Sequence, residues 1–403
     1  MGNSLDFLTT IAPFTPDSFF NDYWEKRPLV ISGRSPNYYA ELMTLVDVDT
    51  ILYTLKPNWK ELRLVEQGRY FMGNFMRPDG TPDIAVIYQA YIQGYSLNLL
   101  EVQERWSPLA VMVRDWETYL HHPISVNLYL TPPNSKAFHP HFDNHDVFIL
   151  QIEGEKDWQV WQPTVELPGQ EFTGNPFLSQ DHLPPCIIKT RLKAGDLLYL
   201  PRGWVHAAST GDRTSLHLTF GVLVYTWSDL LDGMLLNGAS DQNETLNRAL
   251  PIGFMRDPAA QSAIQNDWDK IIKDWIQSSQ LKAGIDQMGD RLIKQMKDPL
   301  PNRYFSNIEQ LSQIHLKTIV KKTAGTFCRI IVQENEIVVN YPGNQLKLPK
   351  NWENALKDIN ANLQLIIQDF PGTNAEKLTF VRQMVGSGLL TIETEELTTP
   401  LGD

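Results

Sequence analysis

From about residue 122 to residue 226 the chain is a succession of short apolar runs broken by turn residues: ISVNLYL, VFILQI, DWQVW, CIIKTRL, DLLYLP and SLHLTFGVLVY. Runs of strand length at this spacing restrict the segment to a β-sandwich or barrel. VFILQI-EGEK-DWQVW reads as a β-hairpin that turns at Gly154.

The flanking regions carry other periods. In TPDSFFNDYWEKRPLVI, Thr15 is placed to cap a helix with Pro16 in its first position. Phe19, Phe20, Tyr23 and Trp24 then share one side, Pro28 ends the helix, and Leu29 to Ile31 reads as a short strand. Asp257–Pro258 opens a second helical stretch, in which Ile264, Trp268, Ile271, Ile272, Trp275 and Ile276 form one apolar stripe. Such a stripe is a core face or a dimer seam. FCRIIV-QENE-IVVNY reads as a hairpin, and Thr373 to Glu376 (TNAE) as a capping box opening a helix with Leu378, Val381 and Val385 on one face. Helices with a small hairpin are similar to a winged-helix module. The expected organisation is a mainly β core domain with an N-terminal helix-and-strand extension over residues 1–226, a helical region over 227–300 and a winged-helix-like domain over 301–403.

Composition narrows the function classes. An apolar content of 42% and a charged content of 20% fit a globular protein. The net charge of −12 disfavours direct nucleic-acid binding, which needs a basic face, so the winged-helix-like domain is expected to contact protein or to act as a scaffold. Eleven tryptophans supply anchors for cores or for a pocket. Cys186 and Cys328 are the only cysteines, too few for a disulfide framework or a Cys-rich zinc site. There is no secretory signal pattern and no run of about 18 apolar residues, so a cytoplasmic protein without a membrane span is expected.

The chain has nine histidines and places three of them in FHPHFDNHD, Phe138 to Asp146. His141 and Asp143 are two residues apart, so in an extended strand both face one way and can reach one ion. GDLLYLPRGWVH, Gly195 to His206, then spaces Gly195, Pro201, Gly203 and His206 as the second motif of cupin-type jelly rolls does. Together His141, Asp143 and His206 supply two imidazoles and a carboxylate, a set that leaves one face of an octahedral metal open and suits Fe(II) oxygenases. His139 paired with His141 is an alternative ligand pair, and His145 is expected at the rim. Asn127 and Tyr129, two apart on ISVNLYL, form a polar stripe, as do Ser215, His217 and Thr219 on SLHLTF. Arg202, Trp204 and Trp158 are expected to shape the mouth of the site or to serve ordinary packing.

These ligands, the GDLLYLPRGWVH string and the YWEKRPLVI opening resemble the JmjC-type 2-oxoglutarate oxygenases, nearest to their ribosomal-oxygenase branch. The resemblance implies a double-stranded β-helix core, a helical dimerisation region, a C-terminal winged helix and a homodimer. It implies Fe(II) at His141, Asp143 and His206, with O2 and 2-oxoglutarate as cosubstrates. Lys156, fifteen residues after His141, stands where the family binds the distal carboxylate of 2-oxoglutarate, with Asn127 and Tyr129 nearby. The implied activity is hydroxylation of a protein side chain, for which a basic ribosomal protein is the leading substrate. Tailoring of a small peptide or metabolite, or a metal-binding scaffold without turnover, stays open at this point.

Overall fold

Period-two alternation on the central strands sorts their side chains between two cores. The computed structural model describes residues 5–172, 174, 176–238, 250–251, 255–278, 281–296, 304–323, 325–361 and 363–393. Its strands β1 (Leu29–Ile31), β2 (Leu62–Glu66), β3 (Arg69–Tyr70), β4 (Ser96–Leu99), β5 (Ile124–Thr131), β6 (Asp146–Trp161), β7 (Cys186–Lys193), β8 (Leu197–Leu200), β9 (Val205–Ser209) and β10 (Ser215–Val222) form one ten-stranded system. The path runs β1-β8-β6-β10-β5-β4-β2-β3, with β7 and β9 both on β6.

β6 is the pivot, and here the expected hairpin is corrected. Asp146 to Trp161 is one continuous strand of 16 residues. Its first part lies between β8 and β10, and its second part, from Glu155, lies between β7 and β9. The chain bends at Gly154, with φ +68°, instead of turning back. A Cβ there would lie 1.9 Å from the carbonyl oxygen of Thr214, so only glycine allows the close crossing. One strand thus joins two sheets, the arrangement of a jelly roll.

On the outer face, Val126 and Leu128 of β5, Phe148 and Leu150 of β6, Tyr199 of β8 and Leu218 and Phe220 of β10 join the main core. The N-terminal helices and the helix Ser107–Leu120 cover this face. Trp116 from that helix is fully buried, with ring centroids 5.3 Å from Phe7, 4.9 Å from Phe148 and 4.9 Å from Phe220. Each such buried aromatic contributes about 1.5–3 kcal/mol through area removed from water. The opposite face holds a small apolar cluster that includes Val147, Ile149, Trp158, Val160 and Leu198. Between these walls the same alternation turns Tyr129, Thr131, His217 and Thr219 inward.

The expected N-terminal helix starts as read, with Thr15 Oγ1 accepting from the Ser18 N–H, but it is shorter than expected: it spans Pro16–Asp22 and ends at Tyr23, five residues before Pro28. Strand β1 follows and pairs with β8. The last segment builds the expected hairpin from Arg329–Val332 and Glu336–Tyr341, extended by Asn344–Pro349. Its helix Asn374–Gly386 opens with the Thr373–Glu376 capping box and buries Val381 and Val385.

Residues 225–297 form a compact unit separate from residues 1–224 and 298–403. Within it the helices Trp227–Gly238 and Leu281–Gln295 pack together, Gly284 lying against Leu230 and Met234. The helix Pro258–Ser278 begins at the expected cap, the Asp257 carboxylate accepting from the Ala259 N–H at 2.9 Å. On its stripe Ile264 and Ile272 are half-buried and Trp268 is exposed, while the side chains of Ile271, Trp275 and Ile276 lie outside the described residues.

Candidate metal and cosubstrate site

Backbone pairing brings the two ligand-bearing segments together. The His141 N–H donates to the His206 carbonyl at 3.1 Å, and the His206 N–H returns a bond of 2.7 Å. The Gly203 N–H donates to the Asp143 carbonyl at 2.9 Å. Gly203 has φ +86°, and a Cβ there would overlap the Val165 carbonyl at 2.1 Å, which accounts for glycine at this bend. His141, Asp143 and His206 each present one ligand atom, all within 4.8 Å of one another. Among the described residues this is the one such group of three.

The imidazoles are oriented for coordination. His141 Nδ1 lies 2.8 Å from the His139 carbonyl and His206 Nδ1 lies 3.0 Å from the Trp204 carbonyl. A carbonyl can only accept, so each Nδ1 carries the proton and each Nε2 keeps its lone pair. His206 Nε2 is 3.5 Å from Asp143 Oδ2. Burial, with His141 adjacent, lowers the pKa of His206 to about 4, so its lone pair stays available at neutral pH. Burial pushes the Asp143 carboxyl up, but His145, His206 and His141 together hold it below its ordinary value.

Beside the three lies a cavity of about 70 Å³ lined by Tyr129, Phe138, Lys156, Trp158, His217 and Thr219, among others. It has room for roughly five water-sized spheres. Lys156 is 3% exposed and donates to Thr131 Oγ1 at 2.9 Å. Burial lowers its pKa to about 7, and no carboxylate of the described residues pairs with it. Burial and then Lys156 push His217 well below the usual histidine value, so it is neutral. Its ring stacks on Tyr129 at 4.9 Å and meets Trp158 edge-on at 5.6 Å. Its Nδ1 is buried without a hydrogen-bond partner.

These features test the fit of the groups that such a donor set suggests. Two imidazoles and one carboxylate suit Fe(II). A buried lysine without a counter-charge, next to an unsatisfied imidazole nitrogen, suits an anionic ligand with several acceptor oxygens. The residues fit both.

The other candidates fall as follows. Tyr129 lines the cavity, whereas Asn127, on the same face of β5, is not in the lining. Its carboxamide oxygen accepts from the Glu101 N–H at 3.2 Å. His217 and Thr219 line the cavity, while Ser215 accepts from Gln151 Nε2. His139 has its ring against Gly68 and is not part of the three-residue group. His145 packs over Gly221 beside Asp143. Trp158 is a cavity wall, and Trp204 supplies the carbonyl that orients His206. Arg202 is not at the mouth: it is buried in ion pairs with Asp146 and Glu25. Sequence reasoning missed Thr131 and Phe138. The inward register of Thr131, two past Tyr129, is the signal that identifies it.

Residues 98–230 match the model of the JmjC domain. Human ribosomal oxygenase 1 is 34% identical over 272 residues, which is 65% of this chain and 42% of that protein. The Aedes aegypti bifunctional lysine-specific demethylase and histidyl-hydroxylase NO66 is 29% identical over 364 residues, 86% of this chain and 56% of that protein. The chain thus spans about half the length of these relatives. Escherichia coli ribosomal oxygenase YcfD shares the fold, with a TM-score of 0.54 at 18% identity over 94% of this chain and 98% of its own. A further YcfD structure, in complex with cobalt and 2-oxoglutarate, aligns with a TM-score of 0.52.

Proposed function

We propose that this JmjC chain is an Fe(II)- and 2-oxoglutarate-dependent oxygenase that hydroxylates a side chain of a protein substrate, with a ribosomal protein as the first candidate. The observation that carries the reading is the pairing, in one small cavity, of an open three-residue donor set with a buried lysine that lacks a counter-charge. The relatives, a ribosomal oxygenase and a bifunctional lysine-specific demethylase and histidyl-hydroxylase, support the substrate class.

In this reading His141, Asp143 and His206 hold the metal through two Nε2 atoms and a carboxylate oxygen. Lys156 binds the distal carboxylate of 2-oxoglutarate, helped by Thr131, and Tyr129 and His217 form the wall beside it. When bound, Fe(II) with 2-oxoglutarate and O2 supplies the oxidising chemistry that yields succinate and CO2 and places one oxygen atom on a substrate C–H. No side chain needs to act as general acid or base, because the hard step belongs to the cofactor. The protein's part is to keep both imidazoles in the lone-pair tautomer, to anchor the cosubstrate and to limit water beside Trp158 and Phe138.

A chain segment is favoured over a small metabolite as substrate by the cleft next to this cavity. That cleft, of about 780 Å³, shares Phe138, Trp158 and Ala208 with the cavity and continues over Trp161, Lys189 and Arg191. We assign residues 1–226 to catalysis, residues 227–300 to homodimerisation and residues 301–403 to a winged-helix-like module that contacts protein, not nucleic acid. Among the described residues no helix is long and apolar enough to cross a membrane, and a cytoplasmic setting is part of the proposal.

With Fe(II), ascorbate and a fitting peptide, the protein is expected to release succinate, and His141→Ala and Asp143→Ala to abolish release while staying folded. Full turnover in both variants overturns the ligand assignment. Intact masses of ribosomal proteins from cells with and without the gene test the substrate: one protein is expected to lose the mass of one oxygen atom when the gene is absent.

A further inference from the structure

The YWEKRP turn and Arg202 of the PRGWVH string meet in one closed ring of polar contacts outside the cavity. Glu25 sits in the left-handed region, φ +56°, at the end of the N-terminal helix. Its backbone N–H donates to the Tyr199 hydroxyl at 3.0 Å. That hydroxyl donates to Asp146 Oδ1 at 2.8 Å. The other Asp146 oxygen accepts from Arg202 Nη1 at 2.7 Å, and the same Nη1 lies 2.5 Å from Glu25 Oε1, which closes the ring. Asp146 is fully buried, and the Trp24 ring stacks over Tyr199 with centroids 6.0 Å apart.

The ring joins the two segments that carry the metal donors. Asp146 comes three residues after Asp143 and is the first residue of β6. Arg202 comes directly before Gly203, which bonds the Asp143 carbonyl, and four residues before His206. Buried ion pairs are poor sources of stability, since desolvation offsets most of their attraction, and in some proteins what they provide instead is a fixed relative position. Here that position is the offset between the Asp143 and His206 segments.

We infer that Glu25, Asp146, Tyr199 and Arg202 are positioning residues that set the separation of Asp143 and His206, and through it the metal affinity of the site. The inference rests on reading His141, Asp143 and His206 as the metal ligands. It gives the YWEKRP turn a task that its distance from the cavity conceals.

The test is titration of the metal-free protein with Co(II), read by the visible ligand-field bands and by calorimetry, well below each variant's melting temperature. Arg202→Met and Tyr199→Phe are expected to weaken Co(II) binding about tenfold or more and to alter the band pattern, as losses around a coordination sphere do. Arg202→Lys should regain part of the affinity by restoring one charge-assisted contact. Glu25→Gln, at the more exposed end of the ring, serves if Arg202→Met fails to fold, and is expected to shift affinity in the same direction. Leu356→Ala, in the C-terminal core, should lower the melting temperature and leave Co(II) affinity unchanged. If folded ring variants bind Co(II) as tightly as the wild type, the positioning role is overturned while the ligand assignment stands. If the wild type itself fails to bind Co(II), the ligand assignment falls and the positioning role with it.

Discussion

Lys156 shows how burial alone changes the acid–base character of a single residue. Burial lowers its pKa from 10.5 to about 7, so the folded protein favours the neutral amine. Between pH 10.5 and about 7 the unfolded chain therefore binds more protons than the native one. The protein loses stability as pH falls through that window, and below about 7 the loss is complete. Lys156→Met removes this cost. The ligand-free variant is expected to be more stable than wild type at pH 7, on the order of 3–5 kcal/mol by linkage, measured by urea unfolding. The same variant should lose the thermal shift that 2-oxoglutarate induces in the presence of an inert metal. A less stable variant that keeps the shift would refute the role of Lys156. A second expectation follows from the same charge. A dicarboxylate binds the ammonium form, so above pH 7 binding must draw a proton from solution. Affinity should fall by up to about tenfold per pH unit there. Calorimetry at pH 8 in buffers of different ionisation enthalpy should report close to one proton taken up per 2-oxoglutarate, and no uptake would exclude Lys156 as the anchor. At this scale much of the site was readable: His141 and Asp143 share a face by period two, and the spacing before His206 marks the returning strand. The loss of Asn127 from the lining was not readable, because strand alternation gives a side and not a depth. The task of Arg202 was hidden too, since its partners Glu25 and Asp146 lie far from it in the chain.

Strand β6 shows what local pattern can and cannot decide. A charged, glycine-bearing EGEK between two apolar runs has the same signature whether the chain reverses or only bends. The difference lies in pairing. Ile149 and Leu150 pair with β8 and β10, while Trp158 and Val160 pair with β7 and β9, so the two runs do not pair with each other. The true C-terminal hairpin, with Gln333 and Glu336 closing its turn, was readable because both of its strands are neighbours in sequence and in space. Gly154→Ala tests the bend. The substitution meets both a positive φ and the Thr214 carbonyl at 1.9 Å, and is expected to cost about 2–4 kcal/mol from strain and overlap. Gly211→Ala is the control, because nothing lies within 4 Å of a Cβ there. Urea midpoints should separate the two. Equal midpoints would mean that β6 crosses between the sheets without needing glycine.

At the scale of the whole molecule the open question is what covers the apolar residues of the helical unit. Trp227 is 80% exposed, and Leu231, Trp268, Leu281 and Ile285 are also exposed. Among the described residues of the unit Tyr225–Lys297, Leu250 and Met255 are exposed as well, which makes seven large apolar side chains in contact with water. The proposed homodimer covers them with the same unit of a second chain, since a two-fold interface is built from one patch used twice. Light scattering should then give the mass of two chains at micromolar concentration. Trp227→Asp with Ile285→Asp should yield the mass of one, because a charge on each helix would be buried without a counter-ion in the dimer. Both positions are exposed within their own unit, so the far-ultraviolet circular dichroism of the double variant should match wild type. A wild-type protein that remains a monomer across that range would overturn the dimer and leave the assignment of His141, Asp143, His206 and Lys156 untouched, since all four belong to the unit that contains residues 1–224.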